Sequence, residues 1–221
     1  MAAALLFDLD GTLLHSDALH MQVFIELYAE RGRRIDESYY LSSIHGRHNS
    51  ETFARDFPDE DPMALSDEKE ARFRDRLPAQ VDPMPGLPAL LDRAAAEGWR
   101  VAVVTNAPRL NAEAMLSAIG QRARFDTLVI GDECARPKPD PLPYTEAMAL
   151  LGARPQDAIA FEDSPSGTRA AQLSGAFTIG VRSSLPHDRL REAGAHASIA
   201  DFADPALAPI LDQRLQTGAA P

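Results

Sequence analysis

The sequence predicts an α/β protein, a parallel sheet whose chain is interrupted soon after the first strand by an inserted block of helices. Three observations lead there. From about residue 87 to 181, short apolar runs alternate with helical apolar periodicity, the pattern of strands joined by crossover helices. Residues 15–83 carry no convincing strand. Three apolar runs end in polar pairs, Asp8/Asp10, Thr105/Asn106 and Glu162/Asp163, and parallel strands bring such ends to one edge of the sheet.

The first element is the run Ala4-Leu5-Leu6-Phe7, which leads directly into Asp8-Leu9-Asp10-Gly11-Thr12-Leu13-Leu14. If the strand continued through the aspartates, its period of two would point Asp8 and Asp10 the same way. Two like charges held that close repel, so a metal, a lysine or a shared proton must sit between them. Helical spacing follows at Leu19, Val23, Phe24, Leu27 and Tyr28, with Gly32 as the stop. Further helical segments fall near 37–45 and 50–57. After the acidic loop 58–62, Ser66 reads as the N-cap of another helix, with Asp67 and Glu68 in its first turn. Residues 82–86 make a hinge back, so the chain divides into a core of residues 1–14 and 84–221 and a helical domain of residues 15–83.

In the core, Leu87, Leu90, Leu91, Ala94 and Ala95 form one helix face. A strand at 100–105 and a helix near 110–119 follow. A short strand at 127–130 precedes a helix over 142–151 that stops at Gly152. The strand at 158–161 runs into Glu162-Asp163, and a helix to Leu173 leads to 177–181, the last clear strand. The tail from Asp204, rich in Ala and Pro, reads as a weak helix with a frayed end.

Composition narrows the function. Of 221 residues, 45% are hydrophobic and 25% charged, ordinary for a globular protein with a real core. The net charge of −11 argues against nucleic acid or anionic membrane as partners. The lone Cys134 excludes an intrachain disulfide and a cysteine-rich metal site. No run approaches a membrane span, and the N-terminal stretch lacks the basic region of a signal peptide, so the expected compartment is the cytoplasm. Lys69 and Lys138 are the two lysines among 22 basic residues, and an anionic substrate would need local positive charge of that kind.

Four carboxylates from two strand ends repel strongly unless a cation is bound, and all-oxygen ligands point to a hard ion, Mg²⁺. In order, Asp8-Leu9-Asp10-Gly11-Thr12-Leu13, Thr105-Asn106, Lys138-Pro139 and Glu162-Asp163-Ser164 resemble the four motifs of the haloacid dehalogenase (HAD) superfamily. The resemblance spans about residues 4 to 183 and is nearest to the β-phosphoglucomutase and phosphoglycolate phosphatase-like branch. It implies a Rossmann-like core with an α-helical cap, and a Mg²⁺-dependent phosphomonoester hydrolase acting on a small phosphorylated metabolite. A monomer or weak homodimer is expected.

By the same resemblance Asp8 is the nucleophile that forms an aspartyl-phosphate, and Asp10 is the general acid and base. Lys138 neutralises the transferring group, and Thr105 with the Asn106 amide region holds phosphoryl oxygens. Mg²⁺ is implied at Asp8, the Asp10 carbonyl and Asp163, with Glu162 acting through water or steering Lys138. Arg136-Pro137-Lys138-Pro139 offers two registers, and the interval to Glu162 favours Lys138, leaving Arg136 as a solvated loop charge. Asp10 argues for an oxyester rather than a halide substrate. Lys69, among acidic neighbours, reads as an exposed helix charge, which disfavours a Schiff-base phosphonatase.

A phosphohexomutase is the first alternative, and a non-catalytic phosphate-ester sensor the second. His20 falls on the mutase's hinge-region histidine, but the mutase's phosphate-gripping cap arginine falls on Asn49 in Gly46-Arg47-His48-Asn49. Arg47 could replace it only if the loop shifts. His15 stands where the branch usually has aspartate. The histidines His15, His20, His45 and His48 read either as a substrate-contacting set or as surface and hinge groups.

Overall fold

The structure is a computed structural model that describes residues 3–45 and 47–215. Met1 and Ala2 of the N-terminal stretch, Gly46 of the Gly46–Asn49 stretch and the end of the tail, 216–221, lie outside the described residues. The chain splits into two compact units, residues up to His15 with those from Gln80 onward, and Ser16–Ala79.

The first unit holds one sheet of six parallel strands: β1 (Ala4–Phe7), β2 (Arg100–Thr105), β3 (Thr127–Ile130), β4 (Ala158–Glu162), β5 (Phe177–Val181) and β6 (Ala197–Ile199), in the order β3-β2-β1-β4-β5-β6. β1 is central, with Phe7 in register with Val103 on one side and Phe161 on the other. Connections run outward from β1 in both directions, so its carboxyl end is the point where strand order reverses and a crevice opens. All four β1 residues are buried, which explains a continuous apolar run in place of alternation. One face packs Ala4, Leu6, Ala102, Val104 and Ala160 against Tyr144, Ala147 and Met148. Phe7 stacks on Phe161 with centroids 4.9 Å apart, and Phe202 meets both edge-on.

Helices α5 (Leu87–Ala96), α6 (Arg109–Ala118), α7 (Leu142–Leu151), α8 (Pro165–Leu173), α9 (His187–Ala193) and α10 (Leu207–Leu215) complete this unit. The sequence reading missed β6. Three residues are too short for a periodic signal, and the strand exists because Ala197 and Ile199 pair with Ile179 and Val181 of β5.

The second unit contains α1 (Asp17–Glu30), α2 (Glu37–Ser43), α3 (Asn49–Asp56) and α4 (Pro62–Arg76). Its core is Phe24, Leu27, Tyr28, Tyr40, Ile44, Phe53 and Leu65, each such side chain contributing about 1.5–3 kcal/mol on burial. The expected start of α4 at Ser66 is corrected. Pro62, which needs no N–H partner, opens the helix, and the Asp61 carboxylate caps it by accepting from Met63 N at 2.9 Å. Lys69 is also corrected: it is 3% exposed rather than a surface charge. The Phe24 and Phe73 rings cover its ammonium at 5.3 and 5.7 Å, Glu70 Oε1 accepts from it at 2.8 Å, and the neighbouring Glu68 turns away to pair with Arg31 and Arg72. Among the described residues no helix is long and apolar enough to cross a membrane.

Candidate active site

β1 ends at Phe7, so Asp8 and Asp10 are not two steps of one strand. Asp8 N still donates to Phe161 O at 2.9 Å, which holds the buried carboxylate at the sheet's carboxyl edge. Asp10 has left the sheet, makes an isolated bridge to Leu14 and is half-buried. The two acids therefore occupy different environments.

Lys138 comes from the loop between β3 and α7 and is buried. Its ammonium donates to Asp8 Oδ1 at 2.7 Å, Glu162 Oε1 at 2.6 Å and Val104 O at 2.6 Å, which uses all three protons. Burial alone would lower the Lys138 pKa, but the charges of Asp8 and Glu162 raise it above its ordinary value. The loop is fixed by Asn106, whose Nδ2 donates to Lys138 O at 3.1 Å and whose Oδ1 accepts from Lys138 N at 3.2 Å. That side-chain amide is spent on the lysine's own backbone. Arg136 is 66% exposed and pairs with Asp140, so the residue against Asp8 is Lys138. Thr105, at the end of β2, is buried, and its hydroxyl accepts from Ala107 N at 3.0 Å.

Glu162 is fully buried at the end of β4. Its Oε1 also accepts from the Tyr144 hydroxyl at 2.7 Å, and its Oε2 from Ser164 Oγ at 3.1 Å. A Cβ at position 167 would lie 1.8 Å from Glu162 Oε1, so the first turn of α8 needs glycine there to let the carboxylate in. Asp163 is buried, and its Oδ2 accepts from Ser183 Oγ and Ser184 Oγ.

Asp8, Glu162 and Asp163 each place an oxygen within 4.8 Å of the others. Three buried carboxylates gather here around the one ammonium of Lys138, an arrangement that a divalent cation would relieve. The strain shows at Asp8, where burial and then the charge of Glu162 push the carboxyl up to about 8 despite Lys138. Hard oxygen donors gathered in this way fit Mg²⁺. Glu162 already accepts from Lys138, Tyr144 and Ser164, whereas Asp163 Oδ2 accepts from two neutral hydroxyls.

In the second unit His20, Asn49, Lys69 and Glu70 form one cluster. His20 Nδ1 lies 2.7 Å from Lys69 Nζ, and the His20 ring stacks on Phe73 at 4.0 Å. Asn49 Nδ2 donates to Glu70 Oε1 at 2.6 Å. Arg47 is exposed and does not join it. His45 pairs with Asp17 at 3.4 Å, and that hydrogen bond raises its pKa. His48 is the N-cap residue of α3.

The sequence reading did not identify Tyr144, Ser183 or Ser184. Tyr144 is reached through the turn that carries Lys138, a long-range relation with no local pattern. The two serines come two and three residues after β5, so their place at the same sheet edge was a usable signal.

Fold and site together define an α/β protein with a carboxylate–lysine centre at the switch point of its sheet. The chain belongs to the haloacid dehalogenase-like hydrolases, whose family model matches residues 5–181. A validoxylamine A 7'-phosphate phosphatase of Streptomyces hygroscopicus subsp. limoneus is 33% identical, over 85% of this chain and 89% of the relative. A fructose-1-phosphate phosphatase of Escherichia coli is 30% identical, over 81% of this chain and 96% of the relative. A mutant of CbbY from Rhodobacter sphaeroides, solved in complex with xylulose-(1,5)bisphosphate, is similar with a TM-score of 0.79 and 30% identity, covering 92% of this chain and 96% of that one.

Proposed function

We propose that this protein is a Mg²⁺-dependent phosphomonoester hydrolase acting on a small phosphorylated metabolite, a sugar phosphate or a phosphoglycolate-like ester, through an aspartyl-phosphate at Asp8. The observation that carries the reading is Lys138 Nζ held between Asp8 and Glu162, with Asp163 completing a buried set of carboxylate oxygens within 4.8 Å of one another. The Asp8 and Asp163 side chains and the Asp10 carbonyl would hold Mg²⁺, which when bound supplies positive charge to the phosphoryl oxygens. Glu162 steers Lys138, consistent with its bonds to Lys138, Tyr144 and Ser164.

In the first step a carboxylate oxygen of Asp8 bonds to phosphorus as the ester P–O bond breaks, and Asp10 gives a proton to the departing alkoxide. Lys138 offsets the charge spreading over the transferring group. The Thr105 hydroxyl and the main chain at Asn106 bind its oxygens. In the second step Asp10 takes a proton from water as the water oxygen bonds to phosphorus, and the Asp8–phosphorus bond breaks. Orthophosphate and free Asp8 result.

In this reading His20, Arg47 and Asn49 select the substrate from the helical unit, and the enzyme resides in the cytoplasm. A mutase must hold a second phosphate with charge, and position 49 carries an amide engaged by Glu70 instead. The relatives named as phosphatases include a validoxylamine A 7'-phosphate phosphatase, a fructose-1-phosphate phosphatase and phosphoglycolate phosphatases, which supports a small phosphorylated metabolite as the substrate here. The test is a panel of sugar phosphates with Mg²⁺, including β-glucose 1-phosphate with its bisphosphate, followed by orthophosphate release. Release of orthophosphate is expected. Glucose 6-phosphate without orthophosphate would replace the hydrolase by a mutase, and tight binding without turnover would replace it by a sensor.

A further inference from the structure

One carboxylate of the site is oriented by a segment outside the four motifs. Asp163 Oδ2 accepts from Ser183 Oγ at 3.2 Å and Ser184 Oγ at 3.1 Å, two consecutive residues in the turn between β5 and α9. Adjacent side chains of an extended strand point to opposite faces, so both hydroxyls reach one oxygen only because the chain turns here. The third side of that oxygen is closed by Gly11, at φ +70°, where a Cβ would lie 2.2 Å from Asp163 Oδ2 and 3.2 Å from Ser183 Oγ. Asp163 is thus clamped between the first motif and the β5–α9 turn.

The donors are neutral. An arginine or lysine in their place would orient the carboxylate equally well but cancel its charge. Hydroxyls orient the carboxylate without adding a compensating charge of their own. We propose that Ser183 and Ser184 are positioning residues for the metal, holding Asp163 in the orientation that binds Mg²⁺. This rests on the metal reading of the site.

The test titrates metal-free protein with MgCl₂ by calorimetry, with thermal melting in the presence and absence of Mg²⁺ alongside. The chains compared are wild type, S183A/S184A, the single alanine variants, S183T/S184T and D163N. Loss of outer partners of metal ligands typically weakens metal affinity about 10- to 100-fold, and that rise in Kd is expected for S183A/S184A. The threonine pair should recover much of the affinity, and Mg²⁺ should raise the melting temperature of the double alanine variant less than that of wild type. The single variants carry the test if the double variant does not fold. Unchanged Mg²⁺ affinity in folded serine variants, with D163N defective, overturns the positioning role alone. Absence of Mg²⁺ binding by wild type overturns the metal reading and this proposal together.

Discussion

At the scale of single residues, the account turns on Lys138. Its ammonium is the positive charge held directly against Asp8 and Glu162, and both carboxylates are buried. Replacing it by methionine keeps the stem and removes the charge, leaving Asp8 and Glu162 unpaired. Removing one partner of a buried ion pair typically costs about 3–5 kcal/mol. We expect Lys138→Met to melt well below wild type unless Mg²⁺ is added, and turnover to fall roughly 10²- to 10³-fold, the loss typical of a group that stabilises transition-state charge. Melting curves and steady-state rates check both. The place of Asp8 at the sheet edge was legible because an apolar run ending in acids is a local pattern. The different environments of Asp8 and Asp10 were not, since they depend on β1 stopping at Phe7 and on the partners that arrive from elsewhere. Lys69 shows the limit most clearly. Acidic sequence neighbours suggested solvent, but the side chain is enclosed by Phe24 and Phe73, whose positions are set by packing.

At the scale of elements, each unit has one position on which a helix depends. Gly167 admits Glu162 into the first turn of α8, and its main-chain N–H donates to Ser164 Oγ at 3.1 Å. Gly167→Ala should displace the Glu162 carboxylate and with it Lys138, so turnover should fall further than melting temperature, as assays on the same preparation would show. In the helical unit, Asp56 at the end of α3 accepts from the hydroxyls of Tyr28 and Tyr39 and from Arg55. Burial alone would raise its pKa, but those bonds hold the carboxyl well below the usual carboxylate range. A depressed folded pKa means the stabilisation is present above the unfolded value near 3.8 and is lost as pH falls toward the folded one. The protection of amides in α1 and α3, taken relative to their intrinsic exchange rates, should therefore fall below about pH 4, and Asp56→Asn should flatten that acid dependence. Helix positions were readable from apolar spacing, but the start of α4 was not. A serine followed by acids resembles an N-cap, yet Asp61 and Pro62 begin the helix five residues earlier.

At the scale of the whole molecule, the alternation of strands and helices was enough to gather three strand ends on one edge of a parallel sheet, but not to give the strand order that puts β1 at its centre. What could not be read was how the charges balance there, because Tyr144, Ser183 and Ser184 come from turns and helices far apart in sequence. The central claim is that phosphoryl transfer passes through Asp8 with Mg²⁺. Its most direct test compares wild type with Asp8→Asn for orthophosphate release from a sugar phosphate that wild type turns over, with Mg²⁺ and with a chelator. Asparagine keeps the shape but cannot form the aspartyl-phosphate. Wild type should release orthophosphate only with Mg²⁺, and Asp8→Asn should lose roughly 10³-fold or more of that rate. Mg²⁺-dependent release at an undiminished rate by the variant would contradict the account.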